Sequence, residues 1–362
     1  MSSKSRSSIV CLSLLPLAVS SFYLAFRFPA VTDALYSRGL YPLVAHGFAI
    51  FGRLSFSLAE PLFVVLVLLL VYGIYRWSRT KGHRLRRAVA AIWIVAGAVT
   101  LAFLFLWGFN YARPSLRDRL GLSGERIEAS DVLDAGRRAA TLTSELYEEL
   151  PRRTSPTTLP FGLEELNLRL DDAYSRLALP GDAVSFRPAP AKPLRSSTLF
   201  SYLGISGIFV PFTGEPSFNA HQPDVALPMV VAHEKAHQRA ITHEGEANFA
   251  AFLVCAQPAN TAYFRYAAYL FATRYLLSEA SLYLPRDEVD AVWELLSDGP
   301  KDDIRAIRDF WRRYEGPATI VATTMNDQYL KTMQVAGGVQ SYGTVVEMLI
   351  ALDQEGRLFP EH

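Results

Sequence analysis

The hydrophobic pattern changes character once along this chain. Three long apolar runs come first: Ile9 to Phe26, Leu62 to Tyr75, and Ala88 to Tyr111. The second is extended at its start by Phe56-Ser-Leu-Ala-Glu-Pro61. Each supplies about 20 residues of helix, the length that crosses the hydrocarbon core of a bilayer. Beyond Tyr111 the apolar positions recur at the helical period instead. Val132, Leu133, Ala139, Leu142, Leu146 and Leu150 predict a helix from Ala129 to Leu150, with Ser130 as its N-cap and Pro151 as its stop. Phe161 to Leu179 predicts a second helix. Pro188, Pro190 and Pro193 impose an extended stretch. Phe200 to Phe212, rich in aromatic and β-branched residues and glycine, predicts one strand or a bent hairpin. After Asn248 the pattern is helical almost to the end, through Ala259 to Tyr283, Arg286 to Leu296, Lys301 to Tyr314, Ala318 to Met333 and Gly338 to Leu352. Arg265, Arg274 and Glu279 argue against a fourth span in the first of these. The expected class is mainly α with a small β element. Residues 1–111 form a membrane domain with three transmembrane helices, 112–125 a linker rich in Arg, Gly and Ser, and 126–362 the domain that carries the chemistry.

Charge orients the membrane part. Arg76, Arg79, Lys81, Arg84, Arg86 and Arg87 lie between the second and third runs with no acidic residue among them. The positive-inside rule places this loop in the cytoplasm. Lys4 and Arg6 then lie on the same side, and the large domain is expected to be periplasmic or extracellular. Arg113, Arg117 and Arg119 just after the third run are a weaker opposing signal. The first run also carries signal-peptide features, with its basic start and Ala18-Val-Ser20. Its apolar character continues through Phe22-Tyr-Leu-Ala-Phe26, which favours a retained span. In the outer loop of residues 27–57, Tyr36, Leu40, Tyr41, Leu43, Val44, Phe48 and Phe51 predict an amphipathic helix at the interface. Packing on the large domain is its expected role.

Composition adds less. Lys and Arg number 36 against 35 Asp and Glu, a formal net charge of +1. That balance offers no argument for nucleic acid. The partners to expect are a lipid bilayer and, if the chemistry below holds, a peptide or protein substrate. The two cysteines, Cys11 and Cys255, fall in the first run and in the helix after Asn248, too far apart to bridge.

The chemistry is concentrated in Val231-Ala-His-Glu-Lys-Ala-His-Gln-Arg-Ala-Ile-Thr-His-Glu-Gly-Glu-Ala-Asn248. His233 and His237 are four residues apart, so on a helix both imidazoles point one way and can hold a single zinc ion, Zn2+. Glu234 beside them can reach a water on that ion, the arrangement a zinc hydrolase needs. The apolar lead-in Ala226-Leu-Pro-Met-Val-Val-Ala232 predicts a buried helix, and buried histidine and glutamate need partners that a metal supplies. Glu244 is the favoured third ligand, as in gluzincin-type sites, with Asn248 one turn later supporting a ligating histidine from behind. His243 is the alternative, at the spacing of the metzincins. Ala240 there replaces the glycine that makes the sharp turn, often at positive φ. Glu246 ranks third, facing elsewhere on the helix. The strand-forming Phe200 to Phe212 is either an edge strand that pairs with an extended peptide or a core strand.

Phe200-Ser-Tyr-Leu-Gly-Ile-Ser-Gly-Ile-Phe-Val-Pro-Phe-Thr-Gly-Glu215, the His-Glu-x-Ala-His-Gln-Arg run and Glu-x-Glu-Ala-Asn-Phe249 resemble an uncharacterised bacterial membrane family, domain of unknown function 3810. Tyr36-Ser-Arg-Gly-Leu-Tyr-Pro42, Asn326-Asp-Gln-Tyr-Leu-Lys331 and Gly338-Val-Gln-Ser-Tyr-Gly-Thr-Val-Val346 resemble its other blocks. The resemblance implies three membrane helices and a zincin-like domain, and no known substrate. Ala240, where the family usually has glycine, and Lys235, where it commonly has an apolar residue, depart from it. Motif resemblance alone picks out Tyr329 and Tyr342, with neighbours Asn326, Asp327 and Ser341, as donors to an oxyanion. Three functions fit: a membrane-anchored zinc metallopeptidase, with Glu234 as general base; a zinc hydrolase of a non-peptide envelope substrate; and a non-enzymatic envelope protein with a structural zinc. An intact Glu234 argues against the last, since a structural site needs no base.

Overall fold

A computed structural model describes residues 3–79, 84–122, 127–177, 179, 189–333 and 343–359. Lys81, Pro188, Ser341 and Tyr342 lie outside them. The longer helices are α1 (Ser3–Arg27), α2 (Ala59–Arg79), α3 (Arg84–Leu106), α4 (Ala129–Glu148), α5 (Leu163–Leu177), α6 (Leu227–Gln238), α7 (Glu244–Cys255), α8 (Ala262–Tyr283), α9 (Arg286–Trp293), α10 (Asp298–Tyr314), α11 (Pro317–Thr332) and α12 (Gly343–Gln354). The strands are β1 (Lys192–Pro193), β2 (Gly207–Val210) and β3 (Glu215–Phe218). The chain is thus mainly helical with one small sheet, in the order expected from its patterning.

Among the described residues, two helices are long and apolar enough to cross a membrane, α2 over Ala59–Arg79 and α3 over Ala88–Leu106. The first apolar run forms α1, which bends by 105° into the helical segment Pro29–Arg53 and makes a third span only if the bent pair is taken as one. Two to three spans therefore replace the expected three. α1 packs along α3. At their closest approach, a Cβ on Gly97 would meet the backbone nitrogen of Leu15 at 2.6 Å, so only glycine lets the two backbones come this near. The third run also ends sooner than its composition suggests. α3 stops at Leu106, and Gly108–Ala112 forms a 3-10 turn whose Tyr111 and Asn110 are buried.

The segment between α1 and α2 is helical but broken, as Pro29–Thr32, a π-helical Asp33–Leu40, Tyr41–Phe48 and a 3-10 turn Ala49–Arg53. It docks on the large domain, as its buried Tyr36 and Tyr41 require. Lys192 of β1 supports this docking. Its ammonium donates to the Phe51 and Phe56 carbonyls at 2.7 and 3.1 Å and to the Glu215 carboxylate at 2.5 Å. The other Glu215 oxygen accepts from the Leu58 N–H at 2.9 Å. All three lysine protons are thereby used, the condition under which a fully buried ion pair is tolerated. Glu60, in the first turn of α2, accepts from the Ser196 N–H and hydroxyl at 2.9 and 2.6 Å. The second span thus begins on the surface of the domain.

The sheet has the order β1-β3-β2, with β1 parallel and β2 antiparallel to the central β3. The predicted strand or hairpin of Phe200 to Phe212 resolves into a short helix, Ser197–Tyr202, and the edge strand β2, whose hairpin partner β3 lies beyond the predicted run. The helical core is built on α7, with Ala247, Phe249, Ala250, Ala251, Val254 and Cys255 fully buried and surrounded by α5, α6, α8 and α12. α4 lies along α8. α4 starts one residue before the expected cap. Glu128 and Asp131 form a reciprocal capping box, so Ser130 sits inside the first turn.

Candidate metal site

α6 owes its burial to the lead-in: Leu227, Met229, Val231 and Ala232 are buried, with Pro228 in its first turn. The helix ends in a Schellman motif. The Ile241 N–H donates to the Ala236 carbonyl at 3.1 Å and the Ala240 N–H to the His237 carbonyl at 3.0 Å. The residue that must adopt positive φ in this turn is Ala240, at φ 64°. The turn doubted on the strength of its missing glycine therefore forms with alanine. The left-handed conformation costs a Cβ-bearing residue about 1 kcal/mol or more. Ala240→Gly is expected to raise stability by about 1 kcal/mol with zinc content unchanged, measured as a higher melting temperature of the detergent-purified protein.

Three side chains from outside the large domain finish this helix end. Trp107 Nε1 donates to the His237 carbonyl at 3.0 Å, the Tyr41 hydroxyl to the Gln238 carbonyl at 2.9 Å, and Arg113 to the Ala240 carbonyl at 3.2 Å. They meet the carbonyls that a helix terminus otherwise leaves unsatisfied. Arg113 also pairs with Asp33 at 2.9 Å. Its charge is thus used within the protein, and Arg117 faces Glu347 at 3.9 Å.

α6 and α7 bring His233, His237 and Glu244 together, with one ligand atom of each within 4.8 Å of the others. The two Nε2 atoms are 3.0 Å apart, and the Glu244 carboxylate lies 3.1 Å from His233 Nε2 and 3.7 Å from His237 Nε2. The outer nitrogens fix the tautomers. His233 Nδ1 is 2.8 Å from Asn248 Oδ1 and His237 Nδ1 is 2.7 Å from the Ile241 carbonyl. Both acceptors are oxygens, so both Nδ1 atoms donate and both Nε2 lone pairs face inward. Two such lone pairs and a carboxylate repel one another unless a cation sits among them. Around a tetrahedral zinc with bonds of about 2.0–2.1 Å, the ligand atoms are roughly 3.3–3.4 Å apart. The imidazole separation and the two carboxylate contacts, which are made through different Glu244 oxygens, lie around that value, so the donor set fits the ion.

Glu234 is buried and one of its carboxylate oxygens has no hydrogen-bond partner. β2 makes this enclosure. A Cβ on Gly207 would lie 2.5 Å from Glu234 Oε1, so glycine alone lets the strand press against the carboxylate. Burial pushes the Glu234 pKa up to about 7, with His233 and His237 opposing. Burial disfavours charge on His237 too, yet the Glu244 carboxylate outweighs it and carries the imidazole to about 9. Glu244 itself is held well below the usual carboxylate range: burial opposes this, and the His237 and His233 imidazoles overcome it. A proton on His237 competes with a metal. Apparent zinc affinity is therefore expected to rise about tenfold per pH unit from pH 7 towards about 9 and then level off, as measured by competition with a chelator.

The remaining expected residues fall as follows. His243 is at the N-cap position of α7 and outside the converging group, its ring 6.0 Å from that of Tyr111. Glu246 turns away and accepts from the Leu116 N–H at 2.7 Å. Tyr329 lines the same cavity as the triad, and its hydroxyl is 3.1 Å from that of Tyr111. Tyr342 is outside the described residues. The cavity has a volume of about 890 Å³ and reaches from the triad to Phe103 of α3. Sequence reading missed Tyr111 and Trp107, absorbed into an apolar run, and Gly207, one glycine in a glycine-rich strand. Arg274 also lines the cavity. Its signal was visible as one of two cations, with Arg265, in an aromatic helix, used only as an argument against a fourth span.

The family model for a protein of unknown function (DUF3810) matches residues 36–350. The chain belongs to this family. The matched span runs from the buried Tyr36 of the interfacial segment into α12, so it takes in His233, His237, Glu244, Glu234, Ala240 and both candidate spans. No curated protein and no solved structure matches the chain.

Proposed function

We propose that this chain is a membrane-anchored zinc metallopeptidase of zincin-like architecture. The observation that carries the reading is the placement of a buried, partnerless Glu234 carboxylate beside three converging ligand atoms in one cavity. His233, His237 and Glu244 hold the metal, and Asn248 and the Ile241 carbonyl fix the tautomer of each imidazole. Zinc, when bound, supplies a Lewis acid that polarises a substrate carbonyl and makes a nearby water acidic. Glu234, tuned by burial towards neutrality, takes the proton of the attacking water and returns it to the departing amine. The edge strand β2 offers its free side to an extended substrate backbone, and Pro211 and Phe212 continue this wall of the cavity. The Tyr329 hydroxyl, positioned by Tyr111, is the donor for the developing oxyanion. A closed structural site would place a fourth protein ligand here rather than a carboxylate without a partner.

The basic hairpin loop after α2 supports a large domain on the outer face of the cell membrane. The test is zinc content and hydrolysis together. Detergent-purified protein is expected to carry about one zinc per chain and to cleave members of a peptide mixture in a chelator-sensitive way, read by mass spectrometry. A chain that stays zinc-free after incubation with excess zinc at pH 8 sinks the proposal. A zinc-loaded chain that cleaves no peptide but hydrolyses an envelope lipid or cell-wall amide moves the activity to a non-peptide substrate.

A further inference from the structure

One face of α8 forms a wall of the cavity. Ala267, Leu270, Phe271 and Arg274 follow at i, i+3, i+4 and i+7, so their side chains point the same way. Three of the four are apolar, as the walls of binding pockets usually are. The fourth is a guanidinium. Among the described residues Arg274 makes no hydrogen bond and no ion pair. The acidic residues lining the cavity are Glu234 and Glu244. Glu244 is turned to the imidazoles and Glu234 to Gly207, so neither answers this charge. Arg274 is partly buried, and a guanidinium on a cavity wall with no protein anion beside it is left for a ligand to answer. Its enclosure here works against the charged form, and the one neighbour acting on it electrostatically is the Tyr275 phenol.

We infer that Arg274 is an anion-binding subsite of the same cavity, and that the substrate is a peptide presenting a carboxylate at some distance from the bond that is cut. The inference rests on the peptidase reading for the word peptide, but its physical basis is the unanswered cation on the cavity wall. A guanidinium meets a carboxylate through two parallel N–H···O bonds, which fixes direction as well as position. Glu244 has its carboxylate between the two imidazoles and makes no ion pair with Arg274, so the two charges organise separate parts of the cavity. Arg274 would act as a specificity residue, selecting which peptides enter and in which register, while Glu234 acts on the bond itself.

The test uses the full-length chain in lipid nanodiscs with Glu234→Gln, so that a bound peptide is not consumed. Three N-acetylated pentapeptides of otherwise identical sequence are titrated: one with a free C-terminal carboxylate, one amidated, and one amidated with an internal glutamate. Binding is read by intrinsic fluorescence, since Trp107 and Trp311 both line the cavity. One of the carboxylate peptides is expected to bind about 10- to 100-fold tighter than the neutral one. Which of the two it is separates a chain terminus from an acidic side chain. The preference is expected to fall below about twofold with Arg274→Gln and to survive in part with Arg274→Lys, and to weaken as salt is raised. Equal affinities for all three peptides, no binding of any, or a preference that persists in both Arg274 variants overturns the subsite. Zinc is measured on the same nanodiscs. Zinc without carboxylate preference sinks the subsite alone, and carboxylate preference without zinc sinks the hydrolase reading alone.

Discussion

Glu234→Gln is expected to lower peptide hydrolysis by roughly 10²–10⁴-fold while leaving about one zinc per chain. The two parts of this result come from different features. Glutamine has nearly the same shape as glutamate, so it fills the space against Gly207 and leaves α6 undisturbed. It does not touch the ligand set, whose donor atoms belong to His233, His237 and Glu244. What it removes is the basic oxygen. The amide cannot accept a proton from water at neutral pH, and no other carboxylate replaces it, because Glu244 is held ionised between two imidazoles. Hydrolysis measured by peptide mass spectrometry, beside elemental zinc analysis, separates the two parts. Loss of both would mean that Glu234 acts as a ligand. Loss of neither would leave a structural zinc as the better account.

Glu244→Ala is expected to empty the metal site, and His243→Ala to leave it full. Glu244 supplies the single carboxylate of the triad, 3.1 Å from one imidazole and 3.7 Å from the other, whereas His243 stacks edge-on against Tyr111. Removing Glu244 leaves two neutral imidazoles and no anion to balance a dication. The fall in zinc affinity should exceed the roughly 10–100-fold that loss of an outer partner such as Asn248 costs. His243→Ala should change it by less than about twofold. Competition titrations with a zinc chelator read both. The opposite ranking would move the third ligand to His243 and with it the geometry of the site.

The His233, His237 and Glu244 grouping was legible because it is local: one helix, one turn and the start of the next place all three, and helical spacing alone aligns the imidazoles. Glu246 was legible for the same reason, since its angular position on α7 sends it to the Leu116 backbone. The residues that sequence reading missed arrive from far along the chain. Tyr111 precedes His233 by more than a hundred residues and Arg274 lies on a different helix, so no spacing announces them. Gly207 was hidden for another reason: the contact it permits is with a side chain it does not resemble or follow. The count of spans is two to three rather than a plain three because a Pro-led break after Arg27 bends the helix of the first run by 105° into the segment that follows, a feature that length and apolarity alone do not show. The cap at Glu128 shows the same limit on a smaller scale, because Ser130 and Glu128 are both plausible until the reciprocal bond with Asp131 decides between them.

Tyr41 and Trp107, which belong to the membrane-proximal part of the chain, hold the last carbonyls of the helix that carries both imidazoles. A fragment released into solution by a cut after Tyr111 would lose both of these side-chain donors, and one flank of the cavity would lose Phe103, Trp107 and Tyr111. Anchorage is then more than an address. The residues that join the large domain to the apolar helices also complete this cavity, so on the proposed reading shedding the domain would switch it off, and a soluble fragment would present a damaged site.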